Sequence, residues 1–153
     1  MSDNFIRIIP LDPTWIPAAG TQEAMREYVA ELFPHAEEID LVSDEGIQFR
    51  DCGSNLELVT CPACQREIPI DQWQDMMDDD YSDVTKEYLL EPFALPCCGA
   101  RHTLNELRYT FDQGFSRFEI NVMNPQVKAI RPSEVRELSE GIGCPIKVVF
   151  QHV

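Results

Sequence analysis

The sequence predicts an α+β fold: a single domain with a mainly antiparallel sheet and flanking helices. Segments of alternating apolar and polar residues are separated by short turns, which is typical of antiparallel strands. The order in which the helical and extended segments follow each other also favours the α+β class. Because 153 residues are enough to bury one core, we expect residues 1–153 to form one domain.

One helix and four strands are expected before the first cysteine pair. Residues 21–33 carry apolar side chains at helical spacing; Thr21 can cap this helix, and Pro34 ends it. The strands are expected at residues 5–9, 38–43, 47–51 and 56–60, with turns at residues 44–46 and 53–55. The last three strands would form an antiparallel sheet that leads directly into the first cysteine turn.

The second half of the chain is predicted to continue with short elements. Asp71 can cap a helix between the two cysteine pairs, and Thr103 with Glu106 forms the pattern of a capping box. The remaining predictions are a hairpin connection at residues 109–115, a half-buried strand at 118–123, a helix capped by Ser133 and stopped by Gly141, and a strand at 145–153.

Two tight cysteine clusters predict a zinc-binding subregion at residues 61–102. Cys61 and Cys64 form a Cys-x2-Cys turn, which presents two thiolates from one loop, and zinc binds four such ligands in a tetrahedron. Cys97 and Cys98 are adjacent, and the proline before and the glycine after them favour a turn in which both could bind the metal.

Two alternatives to this ligand set stay open. His102 lies close enough in the chain to replace either Cys97 or Cys98 as a ligand. The clustered cysteines could also be buried thiols or a disulfide pair, although four of the six cysteines fall in the two clusters. The other two, Cys52 and Cys144, are expected to be buried core thiols.

The cysteine pattern resembles two groups of proteins. Cys-x2-Cys, a gap of 32 residues and Cys-Cys resemble the zinc bundle of the small zinc-binding subunit of archaeal and eukaryotic RNA polymerases. This resemblance implies that Cys61, Cys64, Cys97 and Cys98 are all zinc ligands, and a transcription-associated zinc module is one functional hypothesis. The Cys-Pro-x-Cys and Cys-Cys motifs also resemble uncharacterised small bacterial zinc-binding proteins, which imply zinc but no activity.

A second resemblance supports a catalytic hypothesis. His35-Ala36-Glu37 followed by Cys61 and Cys64 is similar to the His-x-Glu and Pro-Cys-x-x-Cys signature of zinc nucleoside and base deaminases. The resemblance implies that His35, Cys61 and Cys64 bind zinc and that Glu37 transfers protons in a zinc-dependent hydrolase. However, Thr60 stands where the family has proline, and the hypothesis leaves the second cysteine pair without a role.

The charge of the chain favours a basic protein partner. The net charge is −15, which disfavours binding to nucleic acids and to anionic membranes and accelerates association with basic proteins, although it also simply improves solubility. Residues 71–91, the acidic segment, contain eight acids and one base. The candidate partner-binding residues are Asp75, Asp78, Asp79, Asp80 and Asp83, with Trp73 and Tyr81 as aromatic anchors.

The expected location is the cytoplasm. No stretch of about 18 apolar residues could cross a membrane, and the N-terminus lacks the features of a signal peptide. Thiols stay reduced in the cytoplasm, where clustered cysteines favour metal over disulfides. The sequence therefore predicts a non-enzymatic, zinc-stabilised acidic binding module that recognises a basic protein. An inhibitor or immunity protein against a basic bacterial toxin would match this charge and size.

Overall fold

A four-stranded antiparallel sheet forms the larger half of the protein, as shown by a computed structural model that describes residues 2–127 and 129–153. Its strands are β1 (Asn4–Pro10), β2 (Glu38–Arg50), β10 (Gly114–Met123) and β11 (Ile146–His152). They lie in the order β11-β1-β10-β2. The helices α1 (Ala19–Leu32) and α3 (Pro132–Ile142) pack against each other and against one face of this sheet.

The smaller half contains the cysteine pairs. Its elements are β3 (Leu58–Thr60), β4 (Glu67–Ile68), α2 (Ile70–Asp80), β5 (Tyr81–Ser82), β6 (Glu87–Tyr88), β7 (Phe93–Ala94), β8 (Arg101–His102), a 3-10 helix (Leu104–Glu106) and β9 (Arg108–Thr110). A three-stranded sheet has the order β4-β3-β9, and β5-β6 and β7-β8 form two separate hairpins. All these pairings are antiparallel, and together with the three α-helices of the described residues they confirm the predicted α+β fold.

Two hydrophobic cores lie in the two halves, and two long strands connect them. The first core lies between the four-stranded sheet and its helices; its fully buried residues include Ile8, Val29, Phe118, Ile120 and Leu138. The second core lies in the smaller half and includes Ile47, Val59, Trp73, Leu95 and Phe115. The strands β2 and β10 contribute side chains to both cores, and this sharing joins the cysteine-containing half to the sheet.

The turn predicted at residues 44–46 is wrong, because β2 runs unbroken through this segment. The pairing register with β10 shifts here: Ser43 pairs with Phe118 and Gln48 with Ser116, so residues 44–47 lie opposite Arg117 alone. Asp44, Glu45 and Gly46 have the local chemistry of a turn, but the chain uses them as a bulge within the strand.

Arg50 and Glu119 alternate with apolar residues along β2 and β10, a pattern that favours exposed polar side chains, but both side chains are buried. Arg7 donates to Glu119 from Nε at 2.7 Å, and the nearest nitrogen of Arg50 lies 3.6 Å from the same carboxylate. Asp51 and Asp44 complete the network at 3.0 Å from Arg7 and 2.8 Å from Arg50. The buried charges of Arg7, Arg50 and Glu119 are therefore all paired, as burial in a low-dielectric interior requires.

The helix starts differ from the predicted ones by two or fewer residues. Thr21 lies inside α1, whose N-cap is Ala18, and Asp71 lies in the first turn of α2 after the N-cap Pro69. Because Thr21 and Asp71 lie inside their helices, they are not the N-caps expected from the sequence. The actual N-caps, Ala18 and Pro69, make no side-chain capping hydrogen bond. The predicted capping box of Thr103 and Glu106 is confirmed.

The start and stop signals of α3 were each predicted two residues away from their true positions. The helix begins at Pro132, with Arg131 rather than Ser133 as the N-cap, because proline suits the first helical position. Gly141 lies inside the helix, and Gly143 ends it in the left-handed conformation with φ 83°. Glycine adopts that conformation without steric cost.

Two predicted strand pairings are wrong. The strand at residues 56–60 does not extend the sheet of β2; instead β3 pairs with β4 and β9. Residues 109–115 do not connect a hairpin, because β9 and β10 belong to different sheets. Cys52 and Cys144 are buried, as predicted.

Candidate metal centre

The first cysteine turn, residues 61–66, connects β3 to β4. The amide of Gln65 donates to the carbonyl oxygen of Cys61 at 3.0 Å, and the amide of Cys61 donates to the carbonyl oxygen of Arg66 at 2.9 Å. Gln65 has a left-handed backbone with φ 65°. Inside the turn, the amides of Ala63 and Cys64 both donate to Sγ of Cys61 at 3.4 Å.

The second cysteine turn, residues 95–100, connects β7 to β8 and repeats the backbone of the first. The amide of Gly99 donates to the carbonyl oxygen of Leu95 at 2.8 Å, and the amide of Leu95 donates to the carbonyl oxygen of Ala100 at 2.9 Å. Gly99 takes the left-handed place, with φ 74°. Superposing these hydrogen bonds puts Leu95 at the position of Cys61 and Cys98 at the position of Cys64. Cys97 then takes the position of Ala63.

The two turns face each other and bring the four predicted cysteines together. Their Sγ atoms all lie within 4.8 Å of one another. The separations are 3.7 Å between Cys61 and Cys98, 3.4 Å between Cys64 and Cys97, and 3.9 Å between Cys97 and Cys98. A disulfide needs about 2.05 Å between its sulfurs, and all four thiols are free. The cluster can hold a metal ion.

Burial decreases across the cluster from the first turn to the second. Cys61 is buried in the second core, Cys64 and Cys97 are half-buried, and Cys98 is exposed. The metal would therefore lie at the boundary between the core and solvent, with the first turn on its inner side.

The thiols already differ in acidity. The backbone amide of Cys64 donates to Sγ of Cys61, and this bond, with that of Ala63, lowers the pKa of Cys61 to about 6. Burial and the neighbouring sulfurs raise the pKa of Cys97. One thiolate is therefore favoured, whereas further thiolates repel it unless a bound cation neutralises the cluster.

Neither predicted alternative ligand joins the four cysteines. Within residues 2–127 and 129–153, the grouped metal-ligating side chains are Cys61, Cys64, Cys97 and Cys98. His102 instead has Nδ1 at 3.7 Å from Glu106. His35 is exposed, and Glu37 accepts a hydrogen bond from Asn124 at 3.0 Å, at the end of β10. The structure thus does not assemble the site that the deaminase resemblance implies.

The acidic segment divides into an exposed and a buried part. Four of the five predicted partner-binding residues are exposed: Asp75, Asp78, Asp79 and Asp83, which we call the acidic surface. Asp80 is 3% exposed, and its carboxylate accepts hydrogen bonds from the amides of Leu90 at 2.8 Å and Glu91 at 3.0 Å. Asp80 therefore holds a loop in place and cannot contact a partner.

Of the two predicted aromatic anchors, one is buried. Trp73 is part of the second core, where its Nε1 donates to the hydroxyl of Tyr109 at 3.2 Å. Tyr81 is half-buried and lines a cavity of about 330 Å³ together with Asp78, Asp83 and Tyr88. Sequence reasoning missed Tyr88. The available signal was a tyrosine on each side of a short polar turn, which is the pattern of a hairpin.

A larger cavity, of about 780 Å³, lies at the ends of β1, β10 and β11. It is lined by uncharged residues, among them Asn4, Phe111, Asn124 and Phe150. The two cavities therefore differ in kind: the larger is neutral, and the smaller carries carboxylates.

The chain matches no protein-family model, no curated protein and no solved structure. Among the described residues, no helix combines the length and the apolar character that crossing a membrane requires. Any functional proposal must therefore start from the chemistry of the cysteine cluster and of the acidic segment.

Proposed function

We propose that this chain is a non-enzymatic, zinc-stabilised binding protein of the cytoplasm that recognises a basic protein partner. The observation that carries the proposal is the four-thiol cluster. A tetrahedral zinc site with Zn–S bonds of about 2.3 Å has sulfurs about 3.8 Å apart. Three separations within the cluster are 3.4, 3.7 and 3.9 Å, so the thiols need little movement to bind zinc.

The number of protein ligands supports a structural role for this zinc. Catalytic zinc keeps one coordination position open for water or substrate, whereas structural zinc is closed by four protein ligands. Here four thiolates would fill the coordination sphere. The metal would join the β3–β4 hairpin to the β7–β8 hairpin, whose strands are only two residues long.

The acidic surface supports a basic partner. Asp78 and Asp79 lie in the last turn of α2, where the helix dipole disfavours negative charge, and this turn contains no basic residue. Lys86, the one base of the acidic segment, forms no ion pair within the described parts of the chain. These carboxylates reduce the stability of the free protein, and a basic partner would offset that cost.

A partner of this chemistry is a basic protein that the chain neutralises. An inhibitor or immunity protein against a basic bacterial toxin fits a small protein with a net charge of −15. Charge complementarity of this kind accelerates association and makes it sensitive to ionic strength.

The zinc part of the proposal is tested by metal content. Zinc per chain should be measured in the unaltered protein, in Cys97→Ser with Cys98→Ser, and in His35→Ala. We expect one zinc in the unaltered chain, loss in the double cysteine variant and retention in His35→Ala. Loss in His35→Ala with retention in the double variant would instead support an open, deaminase-like site.

The partner part is tested with a defined basic peptide, such as a 20-residue lysine–serine copolymer. Binding should be measured by calorimetry at about 50 and 300 mM NaCl, because only electrostatic attraction weakens strongly over this range. We expect neutralisation of the acidic surface to weaken binding far more than an equal loss of charge elsewhere. The matched control neutralises four exposed glutamates on the other two helices: Glu23, Glu27, Glu31 and Glu140. Equal effects of the two variants would refute a dedicated surface.

A further inference from the structure

The smaller cavity is built from two tyrosines and two aspartates at the end of α2. Tyr81 and Tyr88 pair across the β5–β6 hairpin, and their ring centroids lie 5.0 Å apart with the planes at 65°. Asp78 approaches from the last turn of α2, and Asp83 from the hairpin turn. We call this the tyrosine–aspartate pocket; its volume is about 330 Å³.

Contacts with the long strands hold the hairpin in place. The ring of Tyr88 packs edge-on against Phe115, with the centroids 5.2 Å apart. Gln48 in β2 donates from Nε2 to the carbonyl oxygen of Lys86 at 2.9 Å. At Gly46, in the bulge of β2, an added Cβ would lie 2.5 Å from Cβ of Glu87, so the two backbones are closely packed. The second strand of the hairpin, which carries Tyr88, is therefore held against the long strands.

The polar groups of the pocket have no partners of their own. Among the described residues, the hydroxyls of Tyr81 and Tyr88 make no hydrogen bonds, and the carboxylates of Asp78 and Asp83 make neither hydrogen bonds nor ion pairs. Burial raises the pKa of Tyr88, and the nearby Tyr81 and Asp78 raise it further, so the phenol stays neutral while its surroundings are negative.

Aromatic walls combined with carboxylates select an organic cation. The face of a tyrosine ring attracts a lysine ammonium or an arginine guanidinium, and a nearby carboxylate adds a charge-assisted hydrogen bond. A metal ion suits the pocket poorly, because calcium takes six to eight oxygen ligands and the pocket has only two carboxylates. The same hairpin exposes Val84 to 92%, which offers apolar contact for the stem of a long side chain.

We propose that the tyrosine–aspartate pocket binds the terminal cation of a lysine or arginine side chain. This proposal rests on the proposed function, because the lysine or arginine side chain would belong to the basic protein partner. It goes further by naming one binding site within the acidic segment and by assigning the rings of Tyr81 and Tyr88 to recognition. The remaining carboxylates of the acidic surface then attract the partner without contacting this side chain.

The test titrates the full-length, zinc-loaded, 15N-labelled protein with three capped heptapeptides, followed by amide NMR shifts. The peptides share the sequence Ser-Ser-Gly-X-Gly-Ser-Ser, in which X is lysine, arginine or the uncharged norleucine. We expect saturable shifts at Tyr81, Asp83 and Tyr88 with lysine or arginine and none with norleucine. The tighter of the two cationic peptides identifies which side chain the pocket prefers.

Four variants separate the pocket from diffuse attraction. Tyr81→Leu should weaken binding by about 2- to 30-fold, the range of a cation–π contact, and Tyr81→Phe should keep it within about twofold. Asp78→Asn with Asp83→Asn should weaken binding more than Asp75→Asn with Asp79→Asn. Glu23→Gln with Glu27→Gln, on α1, is the charge control expected to leave binding unchanged.

Two outcomes would overturn the pocket. Equal losses in the two aspartate pairs would mean that attraction is diffuse, which removes the pocket but keeps the proposed function. Equal binding of norleucine would mean an apolar site. If Tyr81→Leu does not fold, as judged by zinc content and thermal melting, the aspartate pairs still decide. Binding of the short cationic peptides without binding of the long basic peptide would keep the pocket and refute the proposed function.

Discussion

The two hairpin turns that supply the cysteines share a backbone and differ in which positions carry thiols. In the first turn, Cys61 and Cys64 lie at the first and fourth positions. In the second, the first position is Leu95, and the thiols lie at the third and fourth positions, as Cys97 and Cys98. The two backbone–backbone hydrogen bonds and the left-handed residue at the fifth position are the same in both turns.

This difference concerns the first position of each turn, which faces the second core. Cys61 and Leu95 are both buried in the second core, at 0% and 1% exposure. In the second turn, the core-facing position is occupied by the apolar side chain of Leu95. Its two thiols, Cys97 and Cys98, lie at positions nearer the solvent. The cluster becomes asymmetric, buried on the side of the first turn and exposed at Cys98.

If the cluster binds zinc as proposed, removal of that zinc is the change expected to disrupt the contact between the two turns most strongly. Structural zinc contributes about 10–16 kcal/mol in small zinc-binding domains, because the site does not exist in the unfolded chain. We expect an excess of a chelator to unfold the smaller half, since the β7–β8 hairpin would lose its main link to the β3–β4 hairpin. The first core contains none of the four cysteines and should persist.

Hydrogen exchange with and without chelator measures this outcome. Protection should disappear first in β3, β4, β7 and β8 and should remain in β1 and β10. A circular-dichroism melt that is unchanged by excess chelator would contradict a structural role for the metal.

Moving a thiol of the second turn from its third position, Cys97, to its first position, Leu95, tests whether the two turns are equivalent. Cys97→Ala should lower the zinc-binding free energy by about 2–4 kcal/mol, roughly one ligand's share of the total. If Leu95 occupies the same place in its turn as Cys61, Leu95→Cys should then recover much of this loss. Zinc affinity is measured by competition with a chromogenic chelator.

The matched control is Leu95→Ala combined with Cys97→Ala, which changes the same two positions without adding a thiol. No recovery with Leu95→Cys would mean that the second turn is too far away, or wrongly oriented, to bind metal from its first position. The equivalence would then hold for the backbone alone.

The sequence could predict the cysteine cluster because its signals are local. Cys61 and Cys64 lie within one turn, Cys97 and Cys98 are adjacent, and turn-forming residues flank the second pair. The capping box of Thr103 and Glu106 was predictable for the same reason. The equivalence of the two turns could not be predicted, because it lies in their backbone hydrogen bonds. The residues at the first position, Cys61 and Leu95, are of different types and give no sign of it.

The wrong predictions concern residues whose roles depend on distant contacts. Residues 44–46 have turn chemistry, but the pairing of β2 with β10 on either side of them and the packing of Gly46 against Glu87 keep them within a strand. Asp80 is one of three consecutive aspartates, and only the position of the loop at Leu90 shows that it is buried. Sequence spacing alone cannot distinguish it from its exposed neighbours.

The stability of the segment between the two cysteine turns depends on Asp80, which holds the loop at Leu90 and Glu91. Asp80→Ala should lower the free energy of unfolding by about 2–4 kcal/mol, because it leaves the amides of Leu90 and Glu91 without their charged acceptor. Asp79→Ala, one residue earlier and exposed, should change stability by less than about 0.5 kcal/mol. Urea unfolding of the zinc-loaded proteins gives both values, and equal values would contradict the assigned role of Asp80.

The smallest expected effect compares the left-handed residues of the two turns. A left-handed backbone costs a residue with a side chain about 1 kcal/mol relative to glycine. Gln65→Gly should therefore raise the free energy of unfolding by up to about 1 kcal/mol, and Gly99→Ala should lower it by about the same amount. No atom lies within 4 Å of a Cβ added at Gly99, so the second change acts through the backbone and not through a clash. Urea unfolding at saturating zinc measures both, and shifts in the same direction would show that the two turns do not share one conformation.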